Sequence, residues 1–413
     1  MAPHANGDIV HGSESAPFKE LPVFSITKLT DERTKALAEC LRGNHEMFAV
    51  LRDPYLIFHN HMPHILGSAY YLGASGDQLK KIAKSEGEAL RPHDQVPVQD
   101  TITKADWRKY LNSKNHTVAY QKFFDDEIDN AGGDWKKVVN EYLYSGDAPL
   151  VNGFCGGLAH PFIHLAYAYE YDSREVASES LSMASTEYDM MHGYIDNYPP
   201  DTSTYKTPDY EEILRRVRED NRFDGHFDLP GFMNTFTIHQ TCEEALLEHW
   251  NALDLTDGID KRFEELFDLS VRMAIETGDK ETQFDFFLIH LLTVAHGIRI
   301  LLPTCFPRDR WNDIYRQYWL WTLLMYIAQL RRPIEEDSNK VQLNGRDWKW
   351  VEERALTDKW SLDSHYVKVI RALKVGAELF GEKDGWYLKA SVKFIDEFDG
   401  WVGFGKGVED YPH

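Results

Sequence analysis

Residues 283–302 read QFDFFLIHLLTVAHGIRILL, an apolar stretch without strand-like alternation that predicts a helix. The reading extends outward on both sides. Downstream, RWNDIYRQYWLWTLLMYIAQLRR (310–332), LDSHYVKVIRALKVGAELFG (362–381) and GWYLKASVKFIDEF (385–398) carry the same helical pattern. Upstream it holds for FEELFDLSVRMAIETG (263–278), CEEALLEHWNALDL (242–255) and EVASESLSMASTEYDMMHGYI (175–195). DERTKALAECLRGNHEMF (31–48) opens with an acidic first turn, Ser75 is placed to cap SGDQLKKIAKSEGEAL (75–90), and Pro63 suits the first turn of MPHILGSAYYLGA (62–74). Residues 88–116 and NYPPDTSTYKTPDY (197–210) read as irregular. The expected class is all-α: one large helical domain over residues 23–413, with a buried histidine-rich centre. A Gly/Ser/Pro-rich tail, residues 1–22, is expected to be flexible.

Composition supports a sizeable core. The 413 residues are 43% hydrophobic and 13% aromatic, too apolar for a disordered chain. Acidic residues outnumber basic ones 67 to 45, a net charge of -22. Nucleic acid and anionic membrane both require a basic face, so neither is an expected partner. No apolar run approaches the length of a membrane span, and the N-terminus lacks a secretory h-region. Cys40, Cys155, Cys242 and Cys305 are widely spaced and read as isolated thiols in a reducing compartment, expected to be the cytoplasm. Oligomeric state is not encoded in any pattern here.

Histidine placement carries the chemistry. Eight of the 18 histidines fall in four apolar segments: FHNHMPHILG (58–67), GGLAHPFIHLAY (156–167), DFFLIHLLTVAHG (285–297) and DSHYVKVIRAL (363–373). A polar ring in such surroundings needs a partner, and neutral imidazole suits Fe, Zn, Cu or Ni. His160 and His164 lie about 40° apart on a helical wheel, so both face one way, and Pro161 marks a helix start. Beside Pro63, His64 points inward and His61 falls in the cap region; the alternative is a polar turn of surface histidines. His290 and His296 sit about 120° apart and cannot share a face; His290, in the more apolar part, is the favoured ligand. Asp363 or Ser364 caps a helix carrying His365 and Lys368. Lys368 is either a surface lysine with its head in water or an inward, neutral amine able to take up CO2 as a carbamate, which adds an anionic oxygen ligand.

Other signatures are missing. E-x-x-H, H-E-x-x-H, G-x-S-x-G and the P-loop do not occur, and GFCGGLAH does not match the dinucleotide fingerprint. A catalytic zinc site typically uses three protein ligands, fewer than this chain offers. A metal-free helical binding or accessory protein, with the histidines as a structural network, is the alternative from another class.

FHNHMPHILGSAYYLGAS, GGLAHPFIHLAYAYEY, DFFLIHLL and DSHYVKVIRAL, in that order, resemble the questin oxidase-like family of fungal and bacterial proteins over residues 50–375. The resemblance implies an all-α oxygenase with a histidine-rich non-haem Fe(II) site and O2 as co-substrate. Its expected reaction is Baeyer–Villiger-type oxygen insertion or ring cleavage of an anthraquinone-like aromatic polyketide in secondary metabolism. The family's ligands fall here on His61, His64, His160, His164, His290 and His365, with a carboxylated lysine at Lys368. NADPH is the reductant commonly assigned, although this sequence shows no motif for it; a hydroquinone substrate supplying its own electrons is the other expectation. Phe58, Tyr70, Tyr71, Phe162, Phe286 and Phe287 flank the histidines as candidate pocket lining.

Overall fold

The computed structural model describes residues 25–28, 30–98, 100–256, 258–278, 281–335 and 337–405. The expected N-terminal tail lies outside them. The chain is all-α, as its periodicity predicts. In order come α1 (Glu32–Met47), β1 (Leu51–Arg52), β2 (Phe58–His59), α2 (Met62–Tyr71), α3 (Gly76–Gly87), α4 (Thr117–Asn130), α5 (Trp135–Tyr144), α6 (Gly156–Tyr171) and α7 (Arg174–Thr186). Then follow α8 (Gly193–Asp196), α9 (Tyr210–Glu219), α10 (Asn234–Thr241), α11 (Glu243–Ala252), α12 (Ile259–Ile275) and α13 (Ile289–Thr304). The series ends with α14 (Trp311–Ala328), α15 (Trp348–Thr357), α16 (Ser364–Phe380) and α17 (Trp386–Glu397). β1 and β2 form one short antiparallel pair, with Leu51 opposite His59.

Four helices close a ring at the centre: α2 packs on α6, α6 on α13, α13 on α16, and α16 back on α2. Each has a sequence-encoded start. Asn60 Oδ1 accepts from Met62 N (2.9 Å) ahead of Pro63 in α2. Asp285 Oδ1 accepts from Phe287 N (2.9 Å) and Leu288 N (3.1 Å) at the entry to α13. Asp363 caps α16 through His365 N (2.8 Å) and Tyr366 N (2.9 Å). α13 is buried on nearly every side, as an all-round apolar helix must be. α7 lies behind α6, and α1 and α4 pack against α7. The helix expected over 175–195 breaks after Thr186, where Glu187–Asp189 leave helical geometry before α8.

α6 begins abnormally. Gly157, Leu158 and Ala159 all have left-handed backbone, with φ of 54°, 55° and 58°. The right-handed helix therefore starts at His160, as Pro161 predicts. Two consecutive non-glycine residues in this region are strained, and such strain persists only where surrounding packing enforces it. A Cβ at Gly157 would sit 2.6 Å from Glu187 Cδ and 2.8 Å from His59 Nε2.

α2 and α6 meet at Gly67, where a Cβ would fall 1.8 Å from Tyr171 Oη. That hydroxyl donates to Pro63 O, tying the two helices together. Gly67→Ala must displace a fully buried tyrosine and is expected to destabilise the protein by about 1–3 kcal/mol. Urea unfolding with unchanged m-value measures it; an unaffected midpoint would contradict this packing.

Candidate metal centre

His61 at the N-terminal cap of α2 and His64 within it, His160 and His164 from α6, His290 from α13, and His365 and Lys368 from α16 all converge inside the helix ring. All are buried, with Lys368 only 2% exposed. The inward lysine, not the snorkelling one, is what the structure holds. His59, at the end of β2, joins them: its ring stacks on His160 with centroids 3.9 Å apart and planes 11° apart. His296 is buried too, and burial first, then the charges of Arg371 and Arg299, hold it well below its ordinary value. His160, His290 and His365 each offer a ring nitrogen, all within 4.8 Å of one another; His59, His61 and His160 form a second such group.

Protonation follows from acceptors that can only accept. His160 Nδ1 lies 2.7 Å from Gly157 O, so Nδ1 carries the proton and Nε2 presents a lone pair. The left-handed turn exists at the point where it aims this carbonyl back at the ring. His290 Nδ1 donates to Phe286 O (2.7 Å), which leaves its Nε2 as a lone pair too. A backbone carbonyl on the far nitrogen is the usual way a ligating imidazole is oriented. His61 Nε2 lies 2.8 Å from His160 Nε2, and His61 Nδ1 lies 3.0 Å from Ser364 Oγ.

On the other side of the cluster, His64 Nε2 meets His164 Nδ1 at 3.1 Å, and His164 Nε2 meets Glu179 Oε2 at 3.0 Å. The imidazole partners hold Glu179 below its ordinary range despite burial, which works the other way. Glu187, likewise buried, is held low by Lys114 and by His59, whose Nε2 it meets at 3.1 Å. These carboxylates come from α7 and the turn after it. Of the expected lining residues, Phe286 is in ring contact with the histidines, 5.0 Å from His290 and 4.6 Å from His365. Trp401 covers His365 at 5.9 Å and is anchored by Nε1–H to Asp363 Oδ2 (2.9 Å). Tyr70, Tyr71, Phe58 and Phe162 are engaged elsewhere, with Thr34, Glu378, Arg52 and Phe154.

Burial drives His61, His64, His160, His290 and His365 well below their ordinary value, and the Lys368 charge adds to the effect. Burial also pushes the Lys368 amine down to about 7. Several polar atoms remain without partners here: His64 Nδ1, His290 Nε2, His365 Nε2 and Lys368 Nζ. Orphaned buried donors and acceptors are costly, and a cation held by neutral imidazoles would satisfy the lone pairs. The donor set fits a metal ion.

The neutral histidines set an acid limit. An unfolded chain protonates them below about pH 6.5, whereas the folded one resists, so stability is lost as pH falls through 6.5 and regained above it. Melting temperature measured from pH 8 to 5 is expected to fall steadily on the acid side. A flat or rising profile there would refute their neutrality.

Comparison with known proteins bears directly on this arrangement. The family model described as Questin oxidase-like matches residues 58–373, from the histidine-bearing strand β2 into α16. A Baeyer-Villiger oxidase of Pestalotiopsis microspora is 24% identical over 84% of this chain and 82% of its own length. A Baeyer-Villiger oxidase of Paecilomyces divaricatus is 24% identical over 95% and 94%. A questin oxidase of Aspergillus fumigatus is 25% identical over 78% and 76%. With the match running from β2 into α16 and taking in every histidine segment in order, the chain belongs to the questin oxidase-like family.

Proposed function

We propose that this protein is an oxidoreductase that inserts oxygen into, or oxidatively cleaves, a ring of an aromatic polyketide, using a non-haem Fe(II) ion and O2. The observation that carries the metal is the set of buried, partnerless atoms on His290, His365 and Lys368 beside the oriented Nε2 of His160. His160, His290 and His365 would hold the ion. When bound there, Fe(II) would supply the means of activating O2 beside an electron-rich ring. Relatives named Baeyer-Villiger oxidase and questin oxidase support the substrate class and the reaction.

The chain's own residues have separable tasks. Gly157 O and Phe286 O fix the tautomers of His160 and His290. Phe286 and Trp401 wall the histidines off from water, and offer flat apolar faces to a polycyclic ring. The Lys368 amine, pushed down to about 7 by burial, would in its neutral form attack CO2 through its nitrogen lone pair. A carbamate N–C bond forms and one proton is released, which gives the imidazole set an anionic oxygen. Oxygen insertion consumes O2, two protons and two electrons, with one oxygen atom leaving as water. The electrons come either from NADPH or from the hydroquinone form of the substrate. Turnover of a reduced substrate with and without NADPH separates these two sources.

Protein purified anaerobically without added metal is expected to carry roughly one iron per chain, as one mononuclear site requires. His290→Ala should lose it, and a chelator should lower the melting temperature of wild type but not of the variant. Full oxidation of a hydroxylated anthraquinone by iron-free protein would overturn the reading. Lys368→Met is expected to abolish a 13C carbamate resonance seen with labelled bicarbonate and to weaken iron binding; retention of that resonance in the variant would refute the assignment.

A further inference from the structure

Phe286 and Trp401, whose rings lie against the buried His365, are themselves only half-buried. On this side the cover over the histidine centre is one side chain thick. Part of it belongs to a short strap, residues 400–405, that follows α17 and crosses the entry to α13. Phe286 N donates to Val402 O (2.9 Å), and Trp401 is tied to Asp363 Oδ2 at the start of α16 (2.9 Å). Buried Gln329, its amide nitrogen facing two acceptors, donates to Gly403 O (3.2 Å) and to Asp285 Oδ2 (2.7 Å). Gly403 has φ of 97°, and a Cβ there would sit 2.2 Å from Asp285 Oδ2, so the latch requires glycine. The strap then passes beside Pro230 and Gly231, where a Cβ on Gly231 would come within 3.1 Å of Phe404 O.

From Phe286 a row of aromatic rings leads outward. Phe286 meets Phe404 with centroids 5.0 Å apart, Phe404 meets Phe287 at 5.9 Å, Phe287 meets Phe232 at 6.1 Å, and Phe232 meets Phe236 at 6.2 Å. The row ends in water: Phe404 is 44% exposed, Phe236 39%, and Leu229 on the same loop as Phe232 54%. A single exposed apolar side chain needs no explanation, but exposed aromatics continuous with a buried polar centre mark a ligand groove. Phe404 stands at the junction. Its ring lies on Phe286 with planes 34° apart, in the place that one ring of an entering ligand would take.

We propose that Leu229, Phe232, Phe236 and Phe404 form the entrance by which a flat polycyclic aromatic reaches the histidine centre, with residues 403–405 of the strap as its gate. That this ligand is the substrate rests on the oxygenase reading above; the entrance, as a binding surface for flat aromatics, does not. Swinging the strap outward at Gly403 breaks its bond to Gln329 and parts Phe404 from Phe286. The Phe286 N to Val402 O bond and the Trp401 anchor lie before the hinge, so α13 and α16 keep their histidines in place. Gln329 retains Asp285 Oδ2 as an acceptor, which keeps the open state inexpensive. A ligand uses one passage in both directions. Side chains of the passage therefore change arrival and departure together and leave affinity as it was, whereas a side chain that only lines the bound ligand changes affinity.

The test is anaerobic stopped-flow quenching of tryptophan fluorescence in full-length protein as purified. Its probe is a monohydroxyanthraquinone whose hydroxyl is remote from the carbonyls and cannot chelate iron. Gln329→Leu removes the latch and is expected to raise association and dissociation rates together by roughly tenfold, the worth of about one hydrogen bond. Phe236→Asp, at the exposed rim, is expected to lower both rates severalfold with Kd unchanged, and it carries the test if Gln329→Leu fails to fold. Absence of binding to wild type, wild-type rates in either folded variant, or a change confined to dissociation would overturn the entrance. Binding with both expected shifts, but no oxidation by wild type once air is admitted, would leave the entrance standing and sink the oxygenase reading. Oxidation by wild type with unshifted rates in the variants would do the reverse.

Discussion

Desolvation of imidazole governs this molecule. A ring taken out of water loses its solvent partners on two nitrogens at once, and burying several together makes charging any one of them harder. The core answers by giving five of these rings a definite neighbour: a backbone carbonyl for His160 and His290, a hydroxyl for His61, a carboxylate for His59 and His164. What those neighbours leave over are lone pairs directed into a protected volume. Helix starts, the left-handed turn before α6 and the Trp401 contact can all be understood as ways of enforcing these few angles.

The same constraint explains the two carboxylates behind the histidines. A buried glutamate is itself expensive, and each here stays ionised because basic groups flank it: His45 and His164 for Glu179, Lys114 and His59 for Glu187. Charge is thus placed one layer away from the centre, while the rings facing the centre stay neutral. Such separation lets a cluster of basic side chains persist without mutual repulsion.

Much of the framework was legible in the sequence, because apolar periodicity and proline or aspartate at helix starts are local signals. Pro161 located the true beginning of α6, and the wheel angle between His290 and His296 separated their fates. Other features had no local signal. Left-handed geometry at Leu158 and Ala159 contradicts residue preference and arises from packing against the segment that holds Glu187. His59 sits on a two-residue strand, too short to show alternation. Glu179 and Glu187 look, in EVASESLSMASTEYD, like the solvent face of an ordinary helix, yet Val176–Thr186 is buried throughout. The direction of Lys368 depends on which helices cover α16, which no window of sequence contains. Flanking aromatics were an uneven guide: Phe286 has its ring against His290 and His365, whereas Phe58 and Phe162 pack on Arg52 and Phe154.

The ring of α2, α6, α13 and α16 draws its side chains from nearly the whole length of the chain, with His59 near one end and Lys368 near the other. During synthesis, the first two helices emerge long before the last, and their imidazoles and strained turn have nothing to close against. Contacts of such high sequence separation form late. The histidines of α2 and α6 would then face the cell as an open, unselective chelating surface until α16 arrives. For the proposed metal site, selection of the ion would therefore be a matter of timing as much as of ligand type: an ion that is to stay would have to be present, or exchangeable, at the moment the fourth wall is laid.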